Sequence, residues 1–264
     1  MNSKVAQIWS ARHFIKSSIR NEFMARVVRS RLGLIWIVLL PLAQAAIYAF
    51  VLSMFMQARF PGVQSEHAYP IYLMSGILAW SLFSDIIGRS LGVFIDNSNL
   101  IKKMAFPRLA LPIAALGSAL VNNLLLLLAI LLIFVVLGHN IIASLIWLPV
   151  LFGLLIFLAA GLGLAIGILN VFIRDVGQLV GIGLQFGFWL TPIVYTMDVM
   201  PPTAQLVLSY NPLTAIVQAY QAVLVFGRAP DLSALLYPAA FAVLAMVIAV
   251  FLYRRGIEEV VDAL

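Results

Sequence analysis

The sequence has no cysteine, so disulfides, thiolate metal sites and a cysteine nucleophile are all excluded. Charge is scarce too: Asp, Glu, Lys and Arg make up 10% of the 264 residues, against about a quarter in soluble domains, while 64% are hydrophobic. A chain of this composition is an integral membrane protein whose main solvent is lipid. No glycine precedes a lysine, so the GxxxxGK[ST] phosphate loop is missing and this polypeptide cannot use ATP by that route. HExxH and GxSxG are absent, and the spans hold no paired-carboxylate signature. His13, His67 and His139 are scattered without metal-ligand spacing, so no metal site is assigned.

What is present are long apolar runs. Residues 32–58 are uncharged between Arg31 and Arg59, enough for the roughly 20 residues a membrane helix needs. A second span is expected over 69–95. Counted from its start, Asp85 lies about 22 Å and Arg89 about 28 Å down the helix, near the opposite interface. Their acid-first i,i+4 spacing favours a mutual pair within that span. Residues 109–173 contain no Lys, Arg, Asp or Glu and would make a helix of about 98 Å, so the run must fold back. The turn is expected at Gly138-His139-Asn140, giving spans 109–137 and 144–170, with Pro149 tolerated in the first turns of the second. A fifth span is expected over 176–197 and a sixth over 233–253. Between them, residues 198–230 are broken by Pro201-Pro202, Asn211-Pro212 and Gly227; their helical pieces are too short to span and read as re-entrant or interfacial helices.

The expected fold is therefore all-α and integral to the membrane: a single domain over 1–264 with six transmembrane helices. Six spans put the N-terminal region, the loop before residue 109, the loop near Arg174 and the C-terminal tail on one side. Of sixteen Lys and Arg, only Arg59 and Arg228 then fall opposite. By the positive-inside rule both termini are cytoplasmic and 198–230 lies outside. The N-terminal region is too long and too charged for a cleavable signal peptide, so the first span is expected to stay.

Three segments carry functional information. Residues 1–31 hold seven cations, among them Arg20, Arg26, Arg29 and Arg31, with Ile15, Ile19, Phe23 and Val27 recurring every four residues. Arg12 and Arg26 interrupt the apolar face, which fits a helix lying in the interface with snorkelling arginines. Attraction to anionic membrane lipid and bidentate capture of a phosphorylated headgroup both remain open. The stretch Asn99-Leu100-Ile101-Lys102-Lys103-Met104-Ala105-Phe106-Pro107-Arg108 reads as a short cytoplasmic helix, with Asp96, Asn97 and Asn99 as possible caps and Pro107 as the stop. It is either a charged turn or a lever seated in a groove of a soluble partner, Phe106 being the apolar anchor and Lys102, Lys103 and Arg108 the polar rim. The fifth span has Gly177 and Gly181, then Gly183 and Gly187, four apart, which allows close helix approach. Gln178 and Gln185 share a face of it, and Phe186, Phe188, Trp189 and Tyr195 add rings. Such a face suits either a pore wall or lipid anchoring, and Tyr48 and Phe55 in the first span carry the same ambiguity.

At these residues the chain resembles the membrane subunits of ABC-2 type polysaccharide exporters, and within them the O-antigen exporters. The resemblance runs through "RSRLGLIWIVLLPL", "RFPGV", "YPIYLMSGILAWSLF", "DNSNLIKKMAFPRLALP", "LGLAIGILNVFIRDVGQ", "FWLTPIVY" and "NPLTAIVQAYQ". It implies a homodimer of six-span subunits in the bacterial inner membrane, working with two copies of a cytoplasmic ABC ATPase. ATP and Mg would sit on that partner, with no cofactor on this chain and no role for nucleic acid. It implies that Asn99 to Arg108 is the coupling helix, that 198–230 forms periplasmic gate helices, and that the cargo is a polysaccharide on an undecaprenyl pyrophosphate anchor, an anionic ligand for the N-terminal arginines. Tyr48, Phe55, Gln178, Gln185, Phe186, Trp189 and Tyr195 are the expected channel lining. Capsule and teichoic acid exporters share this plan. An ion-driven flippase and a membrane-embedded transferase are the competing classes, the first disfavoured because the spans hold almost no mid-membrane charge.

Overall fold

The computed structural model describes residues 9, 11–29, 35–36, 38–40, 42–44, 46–47, 68–103, 107–139 and 142–263. The expected first span, with Tyr48 and Phe55, lies outside a continuous description, as do Arg31 and Phe106. Every regular element among the described residues is helical. In chain order these are α1 (Arg12–Arg29), α2 (Ala68–Gly92), α3 (Ser98–Lys103), α4 (Ala110–Val136), a 3-10 turn (Ile142–Trp147), α5 (Leu148–Phe172), α6 (Asp175–Trp189), a second 3-10 turn (Met197–Val199), α7 (Pro202–Ser209), α8 (Pro212–Leu224) and α9 (Leu236–Ala263).

Among the described residues, four helices are long and apolar enough to cross a membrane: α2, α4, α5 with its preceding 3-10 turn, and α9. Their ranges overlap those expected for the second, third, fourth and sixth spans. The fifth differs: α6 stops at Trp189 after 15 residues, about 22 Å, instead of running to 197. Pro192 has no N–H to give and the chain unwinds ahead of it.

The fold-back between α4 and α5 forms where it was expected. Gly138 takes φ +69°, and the amides of Gly138 and His139 donate to Val135 O and Phe134 O at 3.1 and 2.8 Å. These two bonds are a Schellman cap, which satisfies carbonyls that the last turn of α4 would leave bare. Pro149 sits in the first turn of α5.

α5 is packed between α9 and α2, and α2 packs in turn on α4 and α8. Lipid tails give two apolar helices little reason to associate, so packing in a membrane depends on backbones that approach closely. Small residues of α5 provide this. A Cβ on Gly161 would lie 2.7 Å from Met246 N of α9, and one on Gly163 would lie 2.5 Å from Ser90 Oγ of α2. Gly181 and Gly183 of α6, expected to make such contacts, face open space within the chain, whereas Gly187 lies against Trp80.

The helices arrange two distinct ends. At one lie α1, α3, the α5–α6 connection and the last turns of α9, where Arg108 Nη1 donates to Ile257 O at 3.1 Å. Arg20, Arg89, Lys102, Arg174 and Arg254 are all at this basic end. At the far end, His139 Nε2 lies 2.9 Å from Leu224 O and Ser144 Oγ donates to Val223 O at 2.8 Å, so the α4–α5 turn supplies partners to the last carbonyls of α8. Ahead of α9, Asp231 accepts from Ser233 N, Ser233 Oγ and Ala234 N; the Ser233 hydroxyl, then the two amides, hold its carboxyl below the usual range. That cap is in place above the ordinary carboxylate pKa and is lost as pH falls through the lowered value.

Replacing Gly161 by leucine should force α5 and α9 apart and cost about 1–3 kcal/mol by overpacking. Thermal unfolding in detergent measures it: Gly161→Leu should melt well below wild type, while Gly153→Ala, which meets nothing within 4 Å, should not.

Candidate functional site

A short helix forms over the first part of the stretch expected from Asn99 to Arg108. α3 covers Ser98–Lys103 and leaves Asn99, Leu100 and Lys102 exposed. Ile101 was expected on its partner face, but it points inward and is buried with Val93, Phe94, Leu111, Ile168 and Val260. This one side chain keys α3 into the place where α2, α4, α5 and α9 meet. Arg108 is also drawn inward, spending a guanidinium N–H on Ile257 O rather than standing free on a rim. Asn97 does not cap α3 with its side chain; its amide Nδ2 donates to Val93 O at 2.9 Å and closes the end of α2. Pro107 is half-buried, and the Lys103 side chain lies outside the described residues.

The Asp85–Arg89 pair forms, with Arg89 Nε 2.7 Å from Asp85 Oδ1. It is part of a longer chain of contacts. Arg89 Nη1 also meets Glu22 Oε1 of α1 at 2.5 Å, and Asn122 Nδ2 of α4 donates to Asp85 Oδ2 at 3.1 Å. One half-buried guanidinium and its Asp85 partner thus link α1, α2 and α4. Next to it, Asn123 Nδ2 donates to Leu78 O and Ser81 Oγ at 2.9 and 2.8 Å. Sequence reasoning missed Glu22 and Asn122. The available signals were a lone acid among the N-terminal cations and the only Asn-Asn pair in the uncharged run.

α1 packs on α4, and between them is an apolar groove of about 300 Å³ lined by Ile19, Phe23, Met24 and Val121, with Lys16 and Arg20 along it. Both cations are exposed, one helical turn apart. Arg26 and Arg29 continue the same helix, but their side chains lie outside the described residues.

α6 presents a different surface. Phe188 is its only buried residue, and Gln178, Gln185, Phe186 and Trp189 are exposed. Trp80 of α2 meets Phe188 edge-on at 5.7 Å between centroids, and an apolar groove of about 400 Å³ runs past Trp80, Phe83, Phe186, Leu190 and Val207. Tyr195 is half-buried beyond the helix, its hydroxyl donating to Trp189 O at 2.8 Å.

Residues 190–196 are non-helical backbone at the far end of the bundle, and their carbonyls find side-chain donors. Asn211 Nδ2 reaches Leu190 O at 3.1 Å, Tyr72 OH reaches Pro192 O and Tyr195 O at 3.1 and 2.9 Å, Gln221 Nε2 reaches Pro192 O at 2.9 Å and Tyr69 OH reaches Val194 O at 2.9 Å. Irregular backbone at such a depth is tolerated only with such partners or beside a wet cavity.

The sequence comparisons place this all-helical chain in a family. Residues 13–225 match the family model described as "ABC-2 type transporter". The chain belongs to the ABC-2 type transporter family. Its relatives include an O-antigen export system permease protein of Klebsiella pneumoniae, 30% identical over 76% of this chain and 75% of that protein. One of the same description from Myxococcus xanthus is 25% identical over 98% of both chains. A polysialic acid transport protein of Escherichia coli is 24% identical over 94% of this chain and 95% of that one. As an ABC-2 membrane subunit the chain is a multi-pass transporter component rather than an enzyme.

The Glu22–Arg89 contact should be measurable as a coupling of about 1 kcal/mol. A double-mutant cycle of Glu22→Gln and Arg89→Gln, read by thermal unfolding in detergent, should be non-additive by that amount; strict additivity would mean that the two helices are not joined there.

Proposed function

We propose that this chain is the channel-forming membrane subunit of an ATP-driven exporter of lipid-linked O-antigen polysaccharide. The likeness to an O-antigen export permease along 98% of both chains carries this reading. The subunit works as a homodimer in the bacterial inner membrane with two cytoplasmic ABC ATPase subunits, which hold ATP and Mg. Six spans, with 32–58 taking the chain from the α1 end to the start of α2 and α6 acting as a shortened fifth, put the basic end and both termini in the cytoplasm.

The mechanism follows from the two ends. ATP-driven closure of the partner subunits presses on α3, whose exposed Leu100 and Lys102, with Asn99, Lys103, Phe106 and Pro107, face the ATPase. Ile101 passes that displacement to the spans meeting around it. The open glycine face of α6, where Gly181 and Gly183 meet nothing, supports close approach of a second protomer. Gln178, Gln185, Phe186, Trp189 and Tyr195, with Tyr48 and Phe55, line the resulting conduit. Amides and rings suit a sliding sugar chain, because stacking on an apolar face demands no register. Lys16 and Arg20 beside their apolar groove suit an undecaprenyl pyrophosphate anchor, the phosphates on the cations and the isoprenoid along Ile19 and Phe23, with Arg26, Arg29 and Arg31 adding positive charge.

Capsule export is the second reading, favoured by the likeness to a polysialic acid transporter over 94% of the chain. The test is reconstitution in vesicles with the partner ATPase and lipid-linked glycan. Wild type should export only with ATP, and Leu100→Ala with Lys102→Ala and Phe106→Ala should lower export at least tenfold. Export that ignores nucleotide and collapses with the proton gradient would contradict the reading.

A further inference from the structure

The far end of the bundle has one cavity unlike the apolar grooves elsewhere. It holds about 210 Å³ and is lined by Tyr72, Thr196, Asp198, Gln218, Gln221 and Phe226. Three elements build it. Tyr72 comes from the first turns of α2, Thr196 from the end of the braced segment and Asp198 from the 3-10 turn after it, and Gln218 and Gln221 from adjacent turns of α8, with Phe226 just beyond that helix. Tyr72 and Gln221 are buried and already occupied, both holding Pro192 O, so they form a fixed floor. Asp198 and Gln218 stand exposed at the mouth, and no side-chain hydrogen bond engages either among the described residues. Phe226 is the exposed ring, with Arg228 stacked 5.8 Å from its centroid.

A carboxylate, a primary amide and an aromatic ring around a pocket of this size are the groups that hold a sugar. The carboxylate accepts two vicinal hydroxyls, the amide donates to one oxygen and accepts from another, and the ring covers the C–H face of the pyranose. The lining contains one ionised group and it is negative; a sugar bearing its own carboxylate would be repelled. Arg228 stacks on the ring and does not line the cavity. With the floor preset and the mouth open, the site can grip one residue and release it, as conduction requires of any site on a path.

We propose that this cavity is a subsite at the outer exit that holds one uncharged pyranose residue of the exported chain, through Asp198, Gln218 and Phe226. The assignment rests on the polysaccharide-export reading and narrows it to neutral glycans.

The test uses the complete permease–ATPase complex in lipid nanodiscs, with maltoheptaose as the neutral probe and a galacturonic acid heptamer as its carboxylated counterpart, binding being followed by saturation-transfer NMR. Wild type should bind maltoheptaose at least fivefold more tightly than the acidic heptamer. Asp198→Asn, which keeps the side chain's size, should abolish that preference. Gln218→Ala should weaken maltoheptaose binding at least threefold, with Gln218→Asn as a milder second variant at this exposed position. Each variant should still assemble with its ATPase at the wild-type melting temperature. Wild type that exports lipid-linked glycan in vesicles yet binds neither heptamer, or variants that bind as wild type does, would overturn the subsite and leave the export reading standing. Conversely, a neutral-over-acidic preference that disappears in Asp198→Asn, with maltoheptaose binding weakened in Gln218→Ala, would uphold the subsite even if wild type exported no glycan, a result that would count against the export reading alone.

Discussion

In hydrocarbon an unpaired backbone group has no water to turn to, and this structure is organised by that constraint. The four long helices meet it within themselves. The difficulty falls at 190–196, where Pro192 ends α6 and the carbonyls would be bare. Tyr69 and Tyr72 of α2, Gln221 of α8 and Asn211 at the N-cap of α8 converge on this segment. Those same bonds tie α2 to α8 and place α7 and α8 over the far end. A fold can carry a broken helix here only because its neighbours are polar at the matching positions.

The opposite end is organised by charge and by one apolar side chain. Arg89 joins α1, α2 and α4 through Glu22 and Asp85, with Asn122 completing the chain of contacts. Ile101 then keys α3 into the junction of four helices. The inner face of α3 shares a packed cluster with residues of α4, α5 and α9 and with Val93 and Phe94 just beyond α2. Packed clusters have low compressibility and shift as units, which suits the lever role proposed for α3. The two ends are thus built differently, one on charge and a single apolar key, the other on side-chain donors to irregular backbone.

Much of this was legible from residue order. The run from 109 to 173 was too long for one crossing, and Gly138 was the evident place to turn; the Schellman cap there is its local consequence. Asp85 and Arg89 announced their pairing by spacing, and the Pro-Pro and Asn-Pro breaks announced α7 and α8. Other features were hidden for a physical reason. Helical periodicity tells which residues share a face, not which helix that face will meet. Glu22 could not be matched to Arg89, 67 positions away, because α1 has an imperfect apolar face and its rotation about its own axis was undetermined. For the same reason the close-packing glycines were sought in α6, whereas those of α5 make the contacts and Gly181 and Gly183 face outward. Ile101 was counted as partner-facing because a single turn of helix has too few residues for its pattern to show a buried side.

In the proposed topology the two ends lie on opposite sides of the membrane, with α3 on the side of the ATPase and the Gln218 pocket outside. The natural absence of cysteine makes single-cysteine labelling clean. In intact spheroplasts a membrane-impermeant maleimide should label Gln218→Cys at once and should reach Lys102→Cys only after the membrane is permeabilised. Labelling of Lys102→Cys from outside, with Gln218→Cys protected, would contradict the account.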